Sequence, residues 1–166
     1  MRGRRDISAI LGYAVLTFTA APTLIAKPTW ISSRPDENIY LWLMWWFKKQ
    51  IFSLQNPVYT SYWCYPKGLY MWFQNMTPLN SLMSIPLQLI FPVEACFSIL
   101  VFLSFVASGY FTYLLVRGET GSDKAGFIAG CAYAFYSGRF IFARWAEINL
   151  LSTQWIPLAL FLMGKA

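Results

Sequence analysis

The chain has 166 residues, 57% hydrophobic and 19% aromatic, with only 12% charged. A soluble domain normally carries about twice that charge, so a bilayer is the expected solvent. The net charge of +6 fits anionic lipid head groups and lipid phosphates rather than nucleic acid, and the lack of any histidine excludes His-ligated haem, His-containing metal sites and Ser-His-Asp catalysis.

Arg2, Arg4 and Arg5 precede an apolar run from Ile7 to Ala26. This is the pattern of a signal peptide or of a signal anchor. No small-x-small cleavage site precedes Lys27, so the run is read as a first span at 7–26 with a cytoplasmic N-terminus. Residues 27–91 then form a long outer loop. Its entry carries Pro28, Ser32, Ser33 and Pro35, followed by the acidic pair Asp36-Glu37. Residues 38–52 read as a helix dominated by Trp42, Trp45, Trp46 and Phe47 and followed by Lys48-Lys49. It is too short to cross roughly 30 Å of hydrocarbon. Tryptophan and lysine favour the head-group level, so an interfacial helix is expected, with a buried core helix as the alternative.

Asn56-Pro57, Tyr65-Pro66-Lys67-Gly68 and Thr77-Pro78 are turn signals. The aromatic residues between them suit an interface or a groove wall. Asn75-Met76-Thr77 matches a glycosylation sequon, a pattern common by chance. Leu79–Phe91 reads as a short re-entrant or tilted helix broken by Pro86.

A second span is expected at 93–116, closed by the polar turn Arg117–Lys124 on the cytoplasmic side. A third, at 125–137, is rich in small residues, and its Gly126 and Gly130 form a GxxxG that permits close helix contact. Arg139, Arg144, Glu147 and Asn149 lie before a last span at 150–164. Cys64, Cys96 and Cys131 are far apart and suggest neither a disulfide framework nor a zinc site. The expected fold is an all-α integral membrane protein of about four spans, with interfacial helices in its long outer loop.

In that topology Asp36, Glu37, Glu147, Arg139 and Arg144 face one compartment. Carboxylates there can act as a general base or bind a divalent cation such as Mg or Mn, with Asp36 and Glu147 as candidate ligands. Arg139, Arg144, Lys48 and Lys49 are candidate contacts for a lipid-linked phosphate. A purely structural account is equally open. Asp36-Glu37 would then favour the first turn of the following helix, and Arg144 and Glu147 would form a helix-surface pair.

Several stretches resemble a known family. They are Asn56-Pro57, Tyr65-Pro66-Lys67-Gly68, Pro78-Leu79-Asn80-Ser81-Leu82, Tyr113-Leu114-Leu115-Val116-Arg117, Ala132-Tyr133-Ala134-Phe135 and 149–158. Together with the order of elements they resemble the N-terminal module of GT-C-type membrane glycosyltransferases. That group includes protein O-mannosyltransferases, aminoarabinose transferases and oligosaccharyltransferase catalytic subunits. The resemblance implies a polyprenyl-phosphate sugar as donor, location in a prokaryotic plasma membrane, and an essential acidic residue soon after the first span. Asp36 holds that position, with Glu37 beside it. Some members carry a second Asp-x-Glu motif; here the stretch is Trp145-Ala146-Glu147, which keeps the Glu and lacks the Asp. Family enzymes have many more spans and a soluble acceptor domain. The chain is therefore expected to be a fragment or shortened relative, weakly active or inactive alone. The alternative is a non-catalytic accessory or scaffold subunit of a larger membrane complex.

Overall fold

The computed structural model describes residues 2–20, 22 and 35–165; for Arg2, Pro35, Asp36, Glu37 and Phe73 it describes the backbone alone. The chain divides into two units, Met1–Pro28 with Ser98–Ala166, and Thr29–Phe97.

The first unit contains α1 (Arg2–Ala20), which buries Ala9, Tyr13 and Thr17. Their four-residue spacing puts one stripe inward. Ile7, Leu11, Val15 and Phe18 on the other faces are apolar yet about 60% exposed, at 60%, 59%, 61% and 58%. Large apolar side chains facing outward in such a run form an exposed apolar surface.

In the second unit, α2 (Pro35–Phe52) packs against α3 (Pro78–Leu87). Pro35 opens α2, where a missing N–H costs nothing. Tyr40, Leu43, Met44, Trp46 and Phe47 form its buried side. Gln88, just past α3, fastens the pair: its Nε2 donates to the Met44 carbonyl at 3.1 Å and to Ser84 Oγ at 2.7 Å. Between the helices, β1 (Tyr59–Thr60) and β2 (Leu69–Tyr70) pair antiparallel, Tyr59 opposite Tyr70 and Thr60 opposite Leu69. Gly68 (φ 71°) closes the connection, where a Cβ would strike the Tyr59 ring and the Thr60 carbonyl. A 3-10 turn, Met71–Phe73, follows.

Helix α4 (Val93–Thr120) starts in the second unit and runs on through the first. Its 28 residues make it about 42 Å long. Among the described residues it is the one helix long and apolar enough to cross a membrane. It is followed by α5 (Asp123–Ala134), α6 (Ser137–Arg144), α7 (Ile148–Leu151) and α8 (Trp155–Met163). The Ser122 hydroxyl caps α5 by accepting from the Ala125 N–H at 3.3 Å. The core of the first unit gathers Ala9, Tyr13, Val106 and Tyr113, with Phe102, Tyr110 and Phe127 packed against them.

The described residues are thus mostly helical, with one short hairpin among them. Of the expected spans, 93–116 falls within α4. The segments expected at 125–137 and 150–164 hold helices of 12 and 9 residues, against the roughly 20 that a span needs. Pro157, third in α8, and the non-helical cap at Phe135 account for the shorter pieces. The span expected at 7–26 is helical through Ala20; residues 21 and 23–26 lie outside the described ones.

Candidate functional site

The acidic pair sits in the first turn of α2, at its second and third residues. Negative charge is favoured there by the helix dipole. The side chains of Asp36 and Glu37 lie outside the described ones, so their contacts do too.

The other end of α2 is described in full. Lys49 lies one turn beyond Trp45 and donates to the Tyr62 hydroxyl at 2.6 Å. Its ammonium also stands 4.6 Å from the Tyr62 ring centre, 5.2 Å from Trp45 and 5.7 Å from Trp46. The ammonium is held on three π-faces, an arrangement worth about 0.5–1 kcal/mol per exposed contact. Trp42 stacks on Trp46 at 5.3 Å and on Trp63 at 4.7 Å. Trp46 in turn donates its indole N–H to the Pro57 carbonyl at 3.1 Å. These rings present one aromatic wall with a cation embedded in it. Lys48 instead donates to the Gln88 carbonyl at 2.8 Å and ties α2 to the end of α3.

Arg139 belongs to the first unit and is fully buried, 0% exposed. One guanidinium nitrogen donates to Ser108 Oγ at 2.7 Å and to Thr153 Oγ1; the other donates to Ser104 Oγ at 2.9 Å. The guanidinium also lies over the Phe105 ring, 4.6 Å from its centre. Its Nε has no hydrogen-bond partner, and no carboxylate pairs with it among the described residues. Burial pushes its pKa down to about 10, opposed by Tyr136 and Tyr133, so it remains a cation at neutral pH. A buried charge held only by hydroxyls and one π-face carries a large desolvation penalty. It stays in place because three charge-assisted bonds offset that penalty. Arg139 was expected to meet lipid phosphate; in this structure its donors point into the unit instead.

Arg144, last in α6, is exposed, and Glu147 is half-buried at the start of α7 with a partner of its own. Among the described residues no three His, Cys, Asp or Glu side chains converge as a metal site. The expected ligand Glu147 therefore has no described acidic neighbours completing a cation site, and Asp36 lies outside the described side chains.

Two groups of residues escaped the sequence reading. The hydroxyls of Ser104 and Ser108 lie one turn apart on α4, with Thr112 a turn further. A polar stripe of that spacing on an apolar helix is the cue for a buried donor elsewhere. The second group joins α1, α4 and α5. Arg117 pairs with Asp6 at 2.5 Å, and Arg5 with Asp123 at 2.6 Å. Tyr113 donates to Asp123 at 2.9 Å. Asp6 lies 111 residues from Arg117 and Asp123 lies 118 from Arg5, which hid the network.

No family model, curated protein or solved structure matches this chain.

Proposed function

We propose that the chain is an integral-membrane module of the GT-C glycosyltransferase type, working within a larger assembly. In this reading α2 lies in the head-group layer and presents Asp36 to a polyprenyl-phosphate sugar. The observation that carries it is the polarity of α2 along its length. The helix opens on an acidic pair and ends on a lysine embedded among Trp45, Trp46 and Tyr62. Indole and ammonium groups together suit the head-group level. The exposed apolar faces of α1 and the length of α4 support a bilayer setting.

The chemistry follows from the residue types. A carboxylate at Asp36 takes the proton from an acceptor hydroxyl as the new C–O bond forms at the anomeric carbon. The bond to the polyprenyl phosphate breaks, and the phosphate leaves with its electron pair. Neutralising that leaving group needs a cation; Arg139 is committed to its hydroxyls.

The test is Asp36→Asn in the full chain within its native membrane. Transfer from a polyprenyl-phosphate sugar is expected to fall about 10²–10⁴-fold, with membrane insertion unchanged. Undiminished transfer overturns the reading.

A second reading, a non-catalytic accessory subunit, is favoured by the hydroxyl-bound Arg139, which leaves a cation expected for substrate engaged in packing. It requires that the chain co-purify with a larger membrane complex. A chain that leaves the membrane as a stable monomer in detergent counts against it.

A further inference from the structure

In the second unit, exposed apolar side chains gather at two places that the fold ties together. Ile51, Phe52 and Leu54 end α2, and Leu89, Ile90 and Phe91 join α3 to α4. Lys48 lies three and four residues before Ile51 and Phe52, so the three share one face of the helix. That lysine donates to the Gln88 carbonyl at 2.8 Å, which sets this face beside the residues that follow Gln88. Leu54 closes α2. Its N–H bonds the Ile51 carbonyl at 3.1 Å, and the next N–H, of Gln55, bonds the Gln50 carbonyl at 2.9 Å. This pair of bonds calls for a left-handed residue, commonly glycine. Leu54 adopts it at φ 53° and is 96% exposed. A leucine there strains the backbone and recovers little by packing within the chain.

The place of this surface in the chain decides what covers it. Phe91 stands two residues before Val93, the first residue of α4, and α4 is the described helix long and apolar enough to cross a membrane. When α4 spans, residues 89–91 are held at the level where it enters the bilayer, and the Lys48 bond keeps the end of α2 beside them. The neighbouring lysines are already engaged, Lys48 by that carbonyl and Lys49 by Tyr62 and the indole rings. Tryptophan, tyrosine and lysine at one level, with bare leucine, isoleucine and phenylalanine next to them, match the boundary between head groups and acyl chains. We infer that Ile51, Phe52 and Leu54, together with Leu89, Ile90 and Phe91, dip into that boundary beside the mouth of α4 and anchor the end of α2 to the lipid. The inference rests on the membrane reading above and is independent of glycosyl transfer.

The test uses the full chain in vesicles of phosphatidylcholine and phosphatidylglycerol, with Cys64→Ala, Cys96→Ala and Cys131→Ala to remove its own thiols. Nitroxide labels are placed singly through Leu54→Cys, Ile90→Cys, Leu103→Cys and Thr120→Cys, and collision with oxygen and with a water-soluble nickel chelate is read by electron paramagnetic resonance. All four positions are exposed, so these variants are expected to fold. The labels at 54 and 90 should lose access to the nickel chelate and keep access to oxygen, at a depth of about 5–10 Å below the head groups. Leu103, on α4, is the reference for lipid, and Thr120, at its end, the reference for water. Chelate access at 54 or 90 equal to that at 120, with 103 still in lipid, overturns the inference. Protection of 54 or 90 from oxygen and chelate alike marks a protein cover and also overturns it. Chelate access at 103 would instead contradict the membrane reading itself.

Discussion

The Tyr13 hydroxyl of α1 donates to the Phe127 carbonyl of α5 at 3.0 Å, through space that Gly130 leaves open. The rings of Tyr13 and Phe127 stack with centres 4.8 Å apart. A Cβ on Gly130 would strike the Tyr13 hydroxyl and lie 2.5 Å from the Gly109 carbonyl, and one on Gly109 would lie 2.7 Å from the Tyr13 ring. Three helices meet at this tyrosine because two glycines let it in.

Gly130→Ala is therefore expected to destabilise the protein by about 1–3 kcal/mol, the usual cost of overpacking. Tyr13→Phe, which loses only the hydroxyl, should cost about 1 kcal/mol. Thermal unfolding in detergent checks both. A melting temperature for Gly130→Ala at or above the wild-type value would contradict this packing.

Arg139 yields a contrast between two substitutions. Arg139→Met replaces a desolvated cation by an apolar chain of similar reach, and such exchanges are often neutral or stabilising. Ser108→Ala keeps the cation and removes one of its acceptors, at about 1–3 kcal/mol. Stability measurements should thus rank Ser108→Ala below Arg139→Met. The reverse order would show that the guanidinium itself stabilises the unit.

Asp123 carries a pH dependence. The Tyr113 hydroxyl, then Arg5 and Arg117, hold its carboxyl below the ordinary aspartate value, with desolvation opposing them. A depressed folded-state pKa contributes stability that is fully present above the unfolded value and is lost as pH falls through the folded one. Stability should therefore be level from neutral pH down to about 4 and decline below it. Asp123→Asn should flatten that decline, as read by melting temperature against pH. An identical acid limb in the variant would remove Asp123 from the account.

Much of this was written in local sequence. The 93–116 run, the helix after the acidic pair, and the close-contact role of Gly126 and Gly130 follow from hydrophobic runs and side-chain size. A Cβ on Gly126 would lie 2.8 Å from the Tyr113 carbonyl, which bears out the small-residue reading. What escaped depended on partners distant in sequence. The turn at Tyr65–Gly68 was legible, but the pairing of Tyr59 with Tyr70 was not, since two-residue strands leave no alternating pattern. Arg139 read as a candidate contact for a lipid-linked phosphate because it lies between two apolar runs. Its burial is set by hydroxyls 31 and 35 residues earlier and 14 later. Likewise, an apolar run near the C-terminus does not reveal that Trp155–Met163 forms only nine helical residues.

In the membrane reading proposed above, α2 and the hairpin after it face the outside of the cell. Cys64, exposed in that hairpin, is a natural reporter, whereas Cys96 is buried and Cys131 half-buried. The decisive measurement is labelling of intact cells by a membrane-impermeant maleimide, with the chain carrying Cys96→Ala and Cys131→Ala. Cys64 should label without permeabilisation. A cysteine placed by Thr120→Cys in a version also lacking Cys64 should label only after it. Protection of Cys64 until the cells are opened would contradict the account.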